Sequence, residues 1–254
     1  MFYKLKDWID SNKLDWTALS SNPNAIELLK ANPNKINWSS LSHNPNAIEI
    51  LKANINKIDW KYLNYNPDGI QLLKENPEKI NWLYLSANPN AIQLLKENPN
   101  KINWSFLSDN SSKYAIELLK TNPKKINWVF LSSNPNAIEI LKANPNKIEW
   151  ELLSQNPSNY AIKLLKENPD KIDWDKFSSN KNAIELLKEN QDKINWEYLS
   201  SNPSIFTYDY EKIKEKFKEL GEELIIKALH PKRMLKLMEE HGEDEIYKNY
   251  FDDY

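Results

Sequence analysis

A tandem repeat constrains the fold of this chain more than any other feature of its sequence. Nine tryptophans recur at a nearly constant interval, namely Trp16, Trp38, Trp60, Trp82, Trp104, Trp128, Trp150, Trp174 and Trp196. The unit reads N-P-N-A-I-E-L-L-K-x-N-P-x-K-I-N-W-x-x-L-S-x, and eight copies begin at Asn22, Asn44, Asn66, Asn88, Asn110, Asn134, Asn156 and Asn180. A period of this length is typical of stacked units, because one such unit cannot bury its apolar face alone.

Each unit contains two helical segments, of which the first follows the Asn-Pro pair. Asn22 is a good N-cap, and Pro23 fits the first helical position, where its missing N–H costs nothing. The apolar face of this segment consists of Ala25, Ile26, Leu28 and Leu29 at helical spacing. We expect the helix to end at Asn32, because Pro33 disfavours the α conformation in the residue before it.

The second segment is shorter. Asn37 can cap a helix that begins at Trp38, and Leu41 lies one turn later on the same face. Only about six residues are available before the next Asn-Pro pair, so the pattern predicts one or two turns of α or 3-10 helix. Two units are longer by a pair of residues, with Tyr114 and Tyr160 before the Ala-Ile pair. We expect these insertions to lengthen a loop or the first helical turn.

These patterns predict an all-α protein, a right-handed α-solenoid of about eight units of 22–24 residues, with terminal helical caps and no sheet. Helices packed about 8–10 Å apart would give eight units a length of roughly 65–80 Å. The predicted domains are an N-terminal half-repeat cap over 1–21, the solenoid over 22–201 and a C-terminal helical cap over 202–254. In that last cap we expect helices over 209–220, 222–229 and 231–241, the first of them ending at Gly221.

The residues needed for most site chemistry are absent or scattered. The chain has no cysteine, which excludes disulfides and thiolate metal sites, and its three glycines cannot form a phosphate-binding loop. His43, His230 and His241 do not have the spacing of a zinc hydrolase. The net charge of −2 gives no strong field toward nucleic acid or an anionic membrane. We therefore expect no enzyme, no catalytic residue, no metal site, no cofactor and no small-molecule substrate.

The repeated lysines and tryptophans each permit two interpretations. Lys30 and Lys35 recur in every unit, so they could form a strip that follows an RNA or DNA backbone. Alternatively they pair locally with acids such as Glu27 and with the helix dipole. The tryptophans could stack on bases, but their spacing one turn from a Leu or Phe favours a place in the core.

The best candidate binding surface comes from positions that vary between units. The two residues between the Trp and the Leu of the short helix lie roughly 130° from its buried side, given about 100° per residue. We predict a surface that consists of Lys61, Tyr62, Leu83, Tyr84, Phe106, Val129, Phe130 and Leu152. Exposed apolar stripes of this size tend to mark interaction sites. The alternative is that these rings fill the grooves between adjacent short helices.

The unit also resembles a known family. The stretches N-P-N-A-I-E-L-L-K, as in Asn22 to Lys30, and K-I-N-W-x-x-L-S, as in Lys35 to Ser42, resemble tandem repeats of giant double-stranded DNA viruses of the mimivirus group. The resemblance covers residues 13–203, and the segment Ala228 to Met234 looks like a His-Pro-x-Arg ending common in such viral proteins. It implies a viral repeat protein and carries no known chemistry.

We therefore expect a soluble, intracellular, non-catalytic scaffold for protein–protein interaction, with a protein partner of unknown identity. The resemblance places it in the host cytoplasm or the virion of a large DNA virus. A nucleic-acid-binding solenoid and a structural virion component are the alternatives. No apolar run approaches the roughly 18 residues that span a bilayer, and the N-terminus lacks a secretory leader, so we expect no membrane partner.

Overall fold

A computed structural model describes residues 3–228 of the chain, which divide into two compact units. One unit is 5–207; the other combines residues before 5 with residues from 208 onward. The repeats all lie in the first unit. The helix predicted over 231–241 lies outside the described residues.

Two kinds of α-helix alternate along residues 16–201. The Trp helices begin at the repeated tryptophans and are Trp16–Ser21, Trp38–His43, Trp60–Leu63, Trp82–Leu85, Trp104–Leu107, Trp128–Ser133, Trp150–Ser154, Trp174–Ser178 and Trp196–Ser201. The second helices are Ile26–Ala31, Ile48–Lys52, Ile70–Glu75, Ile92–Glu97, Lys113–Thr121, Ile138–Ala143, Asn159–Glu167 and Ile184–Glu189. The predicted all-α repeat architecture is therefore confirmed.

Short 3-10 turns connect these helices. They are Ser11–Lys13, Pro23–Ala25, Pro33–Lys35, Pro45–Ala47, Ile55–Lys57, Pro67–Gly69, Pro77–Lys79, Pro99–Lys101, Pro123–Lys125, Pro145–Lys147, Pro169–Lys171, Gln191–Lys193 and Pro203–Ile205. Asparagine side chains hold the joints, as the sequence predicted. The Asn37 side chain accepts from the Ser40 N–H at 3.0 Å, and Asn32 Nδ2 donates to Leu28 O at 3.0 Å. Both bonds satisfy backbone groups that helix ends leave without partners.

A buried file of asparagines joins each unit to the one before it. Asn44 Nδ2 donates to Ser20 O at 3.0 Å and to Asn22 O at 2.8 Å. The equivalent pairs recur at Asn66, Asn88, Asn110, Asn134, Asn156, Asn180 and Asn202. These side chains are almost fully buried, and such groups are stable only when hydrogen-bonded.

The asparagine file has no free end. Asn22 Nδ2, in the first unit, donates to Ser200 O and to Asn202 O of the last unit, both at 2.9 Å. The Asp15 N–H donates to Ser200 Oγ at 2.8 Å, as the Asn37 N–H donates to Ser20 Oγ at 3.0 Å. Because the last unit meets the first as each unit meets its neighbour, residues 5–207 form a closed ring with nine Trp helices.

The ring differs from the open stack of about eight units that we expected. Nine units that complete one full turn rotate by about 40° each, and this rotation brings the two half-units at the chain ends together. The N-terminal segment over 5–21 and the segment over 202–205 therefore contact each other within the ring instead of covering two separate ends.

Contacts between units place the two helix types at different radii. Trp helices of neighbouring units contact one another at most joints, including Trp16–Ser21 with Trp196–Ser201, and so do neighbouring turns such as Pro23–Ala25 and Pro45–Ala47. Within residues 5–207, no two second helices share comparable contacts. The Trp helices therefore line the inside of the ring, where units converge, and the second helices form its outer rim.

The core lies between the two helix layers. The Leu of each Trp helix, replaced by Phe177 in one unit, and the last Leu of each second helix have no accessible surface. The tryptophans are only half-buried, so their assignment to the core was partly wrong. Each Trp lies at a joint between two units and keeps one face of its ring accessible. In several units the lysine of the following unit covers that face: Lys35 Nζ, for example, lies 4.4 Å from the centre of the Trp16 ring.

The repeat insertions and the terminal segments add two local features to this architecture. The insertions add a first turn to the helices Lys113–Thr121 and Asn159–Glu167, as expected. Tyr3–Leu5 and Phe206–Tyr208 pair in a two-stranded sheet, so the expectation of no sheet was wrong. Ring closure brings these segments together, and the Lys6 N–H donates to Ile205 O at 2.9 Å.

The C-terminal helix also differs from the prediction. It spans Tyr210–Ala228 and passes through Gly221, where we expected it to end. A glycine inside a helix costs only about 1 kcal/mol, and the helix-forming residues that follow it continue the helix.

Candidate binding site inside the ring

The variable side of each Trp helix faces the interior of the ring. In the helix Trp38–His43, Leu41 and Ser42 are buried in the core. At about 100° of rotation per residue, Ser40 and His43 lie on the opposite side of that helix. The second and fifth residues after each Trp are therefore opposite the core. Since the Trp helices line the inside of the ring, these two positions form two files along its inner wall.

The two files differ in composition around the ring. The first is Ala18, Ser40, Tyr62, Tyr84, Phe106, Phe130, Leu152, Lys176 and Tyr198. The second is Ser21, His43, Tyr65, Ala87, Asp109, Ser133, Gln155, Ser179 and Ser201. We call the space that they surround the channel. Large rings concentrate on one side, and small or polar side chains predominate on the other.

The aromatic rings converge toward the middle of the channel. The Tyr65 ring lies 6.0 Å from the Phe106 ring, although their Trp helices are separated by a complete unit. Tyr84 lies 5.1 Å from Tyr65 and 5.6 Å from Phe106, and Phe106 lies 5.3 Å from Phe130. Side chains of non-adjacent units can meet in this way only on a concave surface. We call Tyr62, Tyr65, Tyr84, Phe106 and Phe130 the aromatic arc.

Most residues of the predicted binding surface border this arc. Tyr84, Phe106, Phe130 and Leu152 are half-buried, whereas Tyr62, Leu83 and Val129 have exposed fractions of 37%, 37% and 43%. Lys61 is exposed, and its Nζ lies 5.3 Å from the ring centres of both Tyr62 and Tyr84. The rings thus contact their neighbours and keep one side accessible, which combines the two interpretations of the sequence.

The sequence analysis missed the second file. Tyr65, His43 and Asp109 follow the recurrent Leu-Ser or Leu-Asn pair, in a position that varies between units as much as the first file does. That variation was the available signal.

Desolvation perturbs three ionisable groups in the channel. It raises the pKa of Tyr65 to about 12, with further contributions from Tyr84, Asp109 and Tyr62. It lowers the pKa of His43, whose ring lies edge-on to Tyr65 at 5.9 Å. It raises the pKa of Asp109, and the hydrogen bond from Ser133 Oγ at 3.1 Å only partly opposes this. By accessible surface, however, His43 and Asp109 are both exposed, so water offsets part of the desolvation of each group.

The raised pKa of Asp109 predicts a pH-dependent stability difference. The folded protein binds this proton more tightly than the unfolded chain does, so stability falls as pH rises from the unfolded pKa of about 3.9 through the folded value. Asp109→Asn should therefore raise the melting temperature at neutral pH, and the gain should vanish below about pH 3.9. Thermal melts of both proteins over this pH range provide the measurement.

A matched control for that variant is available on the ring surface. Asp68 is exposed at a position where other units carry Asn24, Asn46 or Asn90, so Asp68→Asn should change stability little. Equal melting curves for wild type and Asp109→Asn at every pH would show that the carboxylate carries no desolvation cost.

Many of the repeated lysines make local contacts. Lys30 Nζ lies 2.9 Å from Glu27, and the same ion pair recurs at Lys52, Lys120 and Lys142. In the other file, five lysines lie over tryptophan rings, namely Lys35, Lys57, Lys79, Lys125 and Lys193, with Lys125 Nζ 4.1 Å from the Trp104 ring centre. The arrangement agrees with local pairing and does not present the continuous basic strip expected of a nucleic-acid interface.

The outer rim offers a shallower site. A cleft of about 260 Å³ opens between two second helices and is lined by Lys120, Pro123, Ile126, Trp128, Glu139, Ile140, Ala143 and Asn144. It is mainly apolar and contains no nucleophile with an adjacent base. Within the part of the chain that the structure describes, no three His, Cys, Asp or Glu side chains group closely enough to hold a metal ion.

One comparison with known proteins gives a match. A family model described as "Periplasmic copper-binding protein (NosD)" matches residues 52–254, which is most of the chain. The chain belongs to the NosD family. Within the matched region, the described repeats consist of α-helices and 3-10 turns. Neither a curated protein nor a solved structure gives a significant match.

The described residues do not fit the copper of the NosD description. Copper prefers imidazole, thiolate and thioether ligands, and residues 52–228 contain no His, Cys or Met. Within the matched region, these donors are confined to His230, Met234, Met238 and His241, outside the described residues. The outer cleft holds no such donor and the channel files hold a single imidazole, His43, so the described residues assemble no set of copper ligands.

Proposed function

We propose that residues 5–207 form a non-catalytic scaffold that binds a protein partner through the inside of the ring. The aromatic arc carries this proposal, because its rings are half-buried, concave in arrangement and open on one side. Tyrosine and other aromatic side chains bury large areas at low entropic cost and are common at interaction hot spots.

The rest of the ring supports a binding role in preference to catalysis. The other side of the channel carries short polar side chains, among them Ser21, Ser40, Ser179 and Ser201, which leave room and offer hydrogen bonds. The channel files hold one carboxylate and one ammonium, at Asp109 and Lys176, in units that are not adjacent. This arrangement of side chains favours binding of a partner with a complementary shape over acid–base catalysis.

The double variant Tyr84→Ser with Phe106→Ser tests the proposal. Quantitative mass spectrometry identifies the proteins that the purified wild type captures. The double variant should no longer capture these proteins. Removing two half-buried, mutually contacting rings should lower the melting temperature by only a few degrees, at about 2–4 °C per kcal/mol.

A surface variant provides the control. Ile55 is 55% exposed at a position where other units carry Pro, so Ile55→Ser removes an apolar side chain away from the channel. It should keep every captured partner. Unchanged capture by the arc variant would contradict the proposal, and a large loss of stability would assign the rings to packing alone.

The cellular setting is part of the same proposal. The resemblance to giant-virus repeats supports an intracellular role in the infected host cell, whereas the family description names the periplasm. No helix within residues 3–228 has the length and apolar character needed to cross a membrane. Detection of the protein in purified virions would favour a structural virion component, and RNA binding that disappears at moderate salt would favour a nucleic-acid-binding solenoid.

A further inference from the structure

We propose that the aromatic arc, together with Lys61 at its edge, binds an extended segment of a partner polypeptide in which an acidic side chain is followed by apolar ones. In this arrangement the carboxylate pairs with Lys61, and the apolar side chains lie on the rings. The inference rests on the proposed function, because it takes the channel as the surface that meets the partner. It adds the chemistry that the partner must present.

Lys61 is a cation held at the edge of the aromatic arc. Its Nζ lies 5.3 Å from the ring centres of both Tyr62 and Tyr84, which belong to neighbouring units. It makes no ion pair with any described residue. Asp59, the nearest acid in sequence, instead accepts from the Lys61 N–H at 3.1 Å and from Ser39 Oγ at 2.8 Å. The rings therefore position an ammonium group that can pair with a carboxylate of the partner.

Exposed apolar surface is concentrated beside this lysine. The large apolar side chains that are exposed within residues 5–207 are Ile55, Tyr62, Leu83 and Val129. All of them except Ile55 belong to Trp helices of the arc, at the first or second position after the Trp. Exposed apolar side chains that cluster beside half-buried rings tend to mark interaction sites.

The charges at the edge of the channel change sign from one end of the arc to the other. The residues directly after the tryptophans are Thr17, Ser39, Lys61, Leu83, Ser105, Val129, Glu151, Asp175 and Glu197. Lys61 is the only base among them, and the three acids follow one another in consecutive units, all of them exposed. A carboxylate of the partner is therefore attracted at the Lys61 end and repelled at the Glu151 end.

The distances along the arc match those of an extended chain. Lys61 Nζ lies 5.3 Å from the Tyr84 ring centre, which lies 5.6 Å from that of Phe106. Alternate residues of a strand point to the same side and lie about 6.6 Å apart. An acid followed by apolar residues at the third and fifth positions therefore places its side chains near Lys61, Tyr84 and Phe106 in turn.

Calorimetric titration of the purified full-length protein with synthetic peptides tests this inference. The probe is acetyl-Glu-Ser-Phe-Ser-Leu-amide, and the two matched peptides carry Gln in place of Glu, or Ser in place of both apolar residues. We expect the probe to bind about 5-fold more tightly than the Gln peptide, as for an ion pair at a partly exposed site. It should bind about 10-fold more tightly than the Ser peptide, because that peptide buries little apolar surface.

Variants of the protein locate the binding at the arc. Lys61→Met keeps an apolar stem over the rings but removes the charge, so it should bind the Glu and Gln peptides equally. Lys61→Arg keeps the charge and should keep the preference for the Glu peptide. Phe106→Leu, which removes a ring face, should weaken both peptides several-fold. The control is Lys101→Met, which removes an exposed lysine in a turn outside the channel files and should bind as the wild type does.

Three results would each overturn the inference: no measurable binding of the probe, equal binding of the Glu and Gln peptides by the wild type, or an unchanged preference in Lys61→Met. Single-stranded RNA is another occupant for a lysine beside aromatic rings. Binding of a uridine decamer that Lys61→Met loses, without binding of the probe, would identify nucleic acid as the occupant and refute the peptide.

The partner-capture experiment separates this inference from the proposed function. A captured protein that is lost with the double variant Tyr84→Ser and Phe106→Ser but kept at full affinity by Lys61→Met would overturn the acidic recognition and leave the scaffold in place. Loss of the same protein with both, and its retention by Lys61→Arg, would support the two together.

Discussion

Asn22→Ala should destabilise the protein as much as Asn44→Ala does. Both side chains have no accessible surface, and each Nδ2 donates to two carbonyl groups of the preceding unit. Each Oδ1 also accepts the N–H two residues later. Leaving a buried polar group without a partner costs about 1–3 kcal/mol, so each variant should lose about 3 kcal/mol or more. Urea unfolding at equilibrium measures both losses.

The difference in stability between Asn22→Ala and Asn44→Ala shows whether the ring is closed in solution. In an open stack the Asn22 side chain would have no preceding unit to bind, and Asn22→Ala would cost far less than Asn44→Ala. Asn34 provides the control, because it is exposed in a turn where other units carry Glu78, Lys124 or Asp170. Asn34→Ala should change the free energy of unfolding by less than about 0.5 kcal/mol.

The second large effect is expected at the leucine of a central Trp helix. Leu85 has no accessible surface, and it packs between the helix layers. Leu85→Ala should therefore cost about 2–5 kcal/mol, from lost apolar burial and from the cavity left behind. The same substitution two residues earlier is a matched control, since Leu83 lies in the same helix and is 37% exposed.

The difference between these two leucines tests the inside–outside assignment of the Trp helix. Leu83→Ala should cost less than about 1 kcal/mol, because much of the removed surface is already in contact with water. Equal urea midpoints for the two variants would mean that the helix is packed as tightly around Leu83 as around Leu85.

Closure changes what the terminal segments must do. An open solenoid exposes the apolar faces of its first and last units, and natural examples cover them with polar caps. In this ring the first and last Trp helices cover each other, and Lys13 Nζ lies over the Trp196 ring at 5.0 Å as Lys35 lies over Trp16. The interior thereby becomes a continuous concave wall, which is the feature that the proposed function uses.

The sequence predicted the unit itself because its determinants are local. Asparagine caps, proline positions and the spacing of leucines act within one or two helical turns, and the Lys30–Glu27 pair lies within a single helix. The same reasoning identified the first file of the candidate site, including Tyr84 and Phe106, from its angle to the core.

The sequence did not reveal what depends on the rotation between units. The rotation at each joint depends on the packing of many side chains. A small difference in this rotation, repeated in every unit, decides whether the units form an open stack or a closed ring. The same rotation brought the Tyr65 ring 6.0 Å from the Phe106 ring, across a complete unit. The amino-acid pattern thus determined the unit and its buried face, whereas the accumulated geometry of nine joints decided that the opposite face encloses a channel.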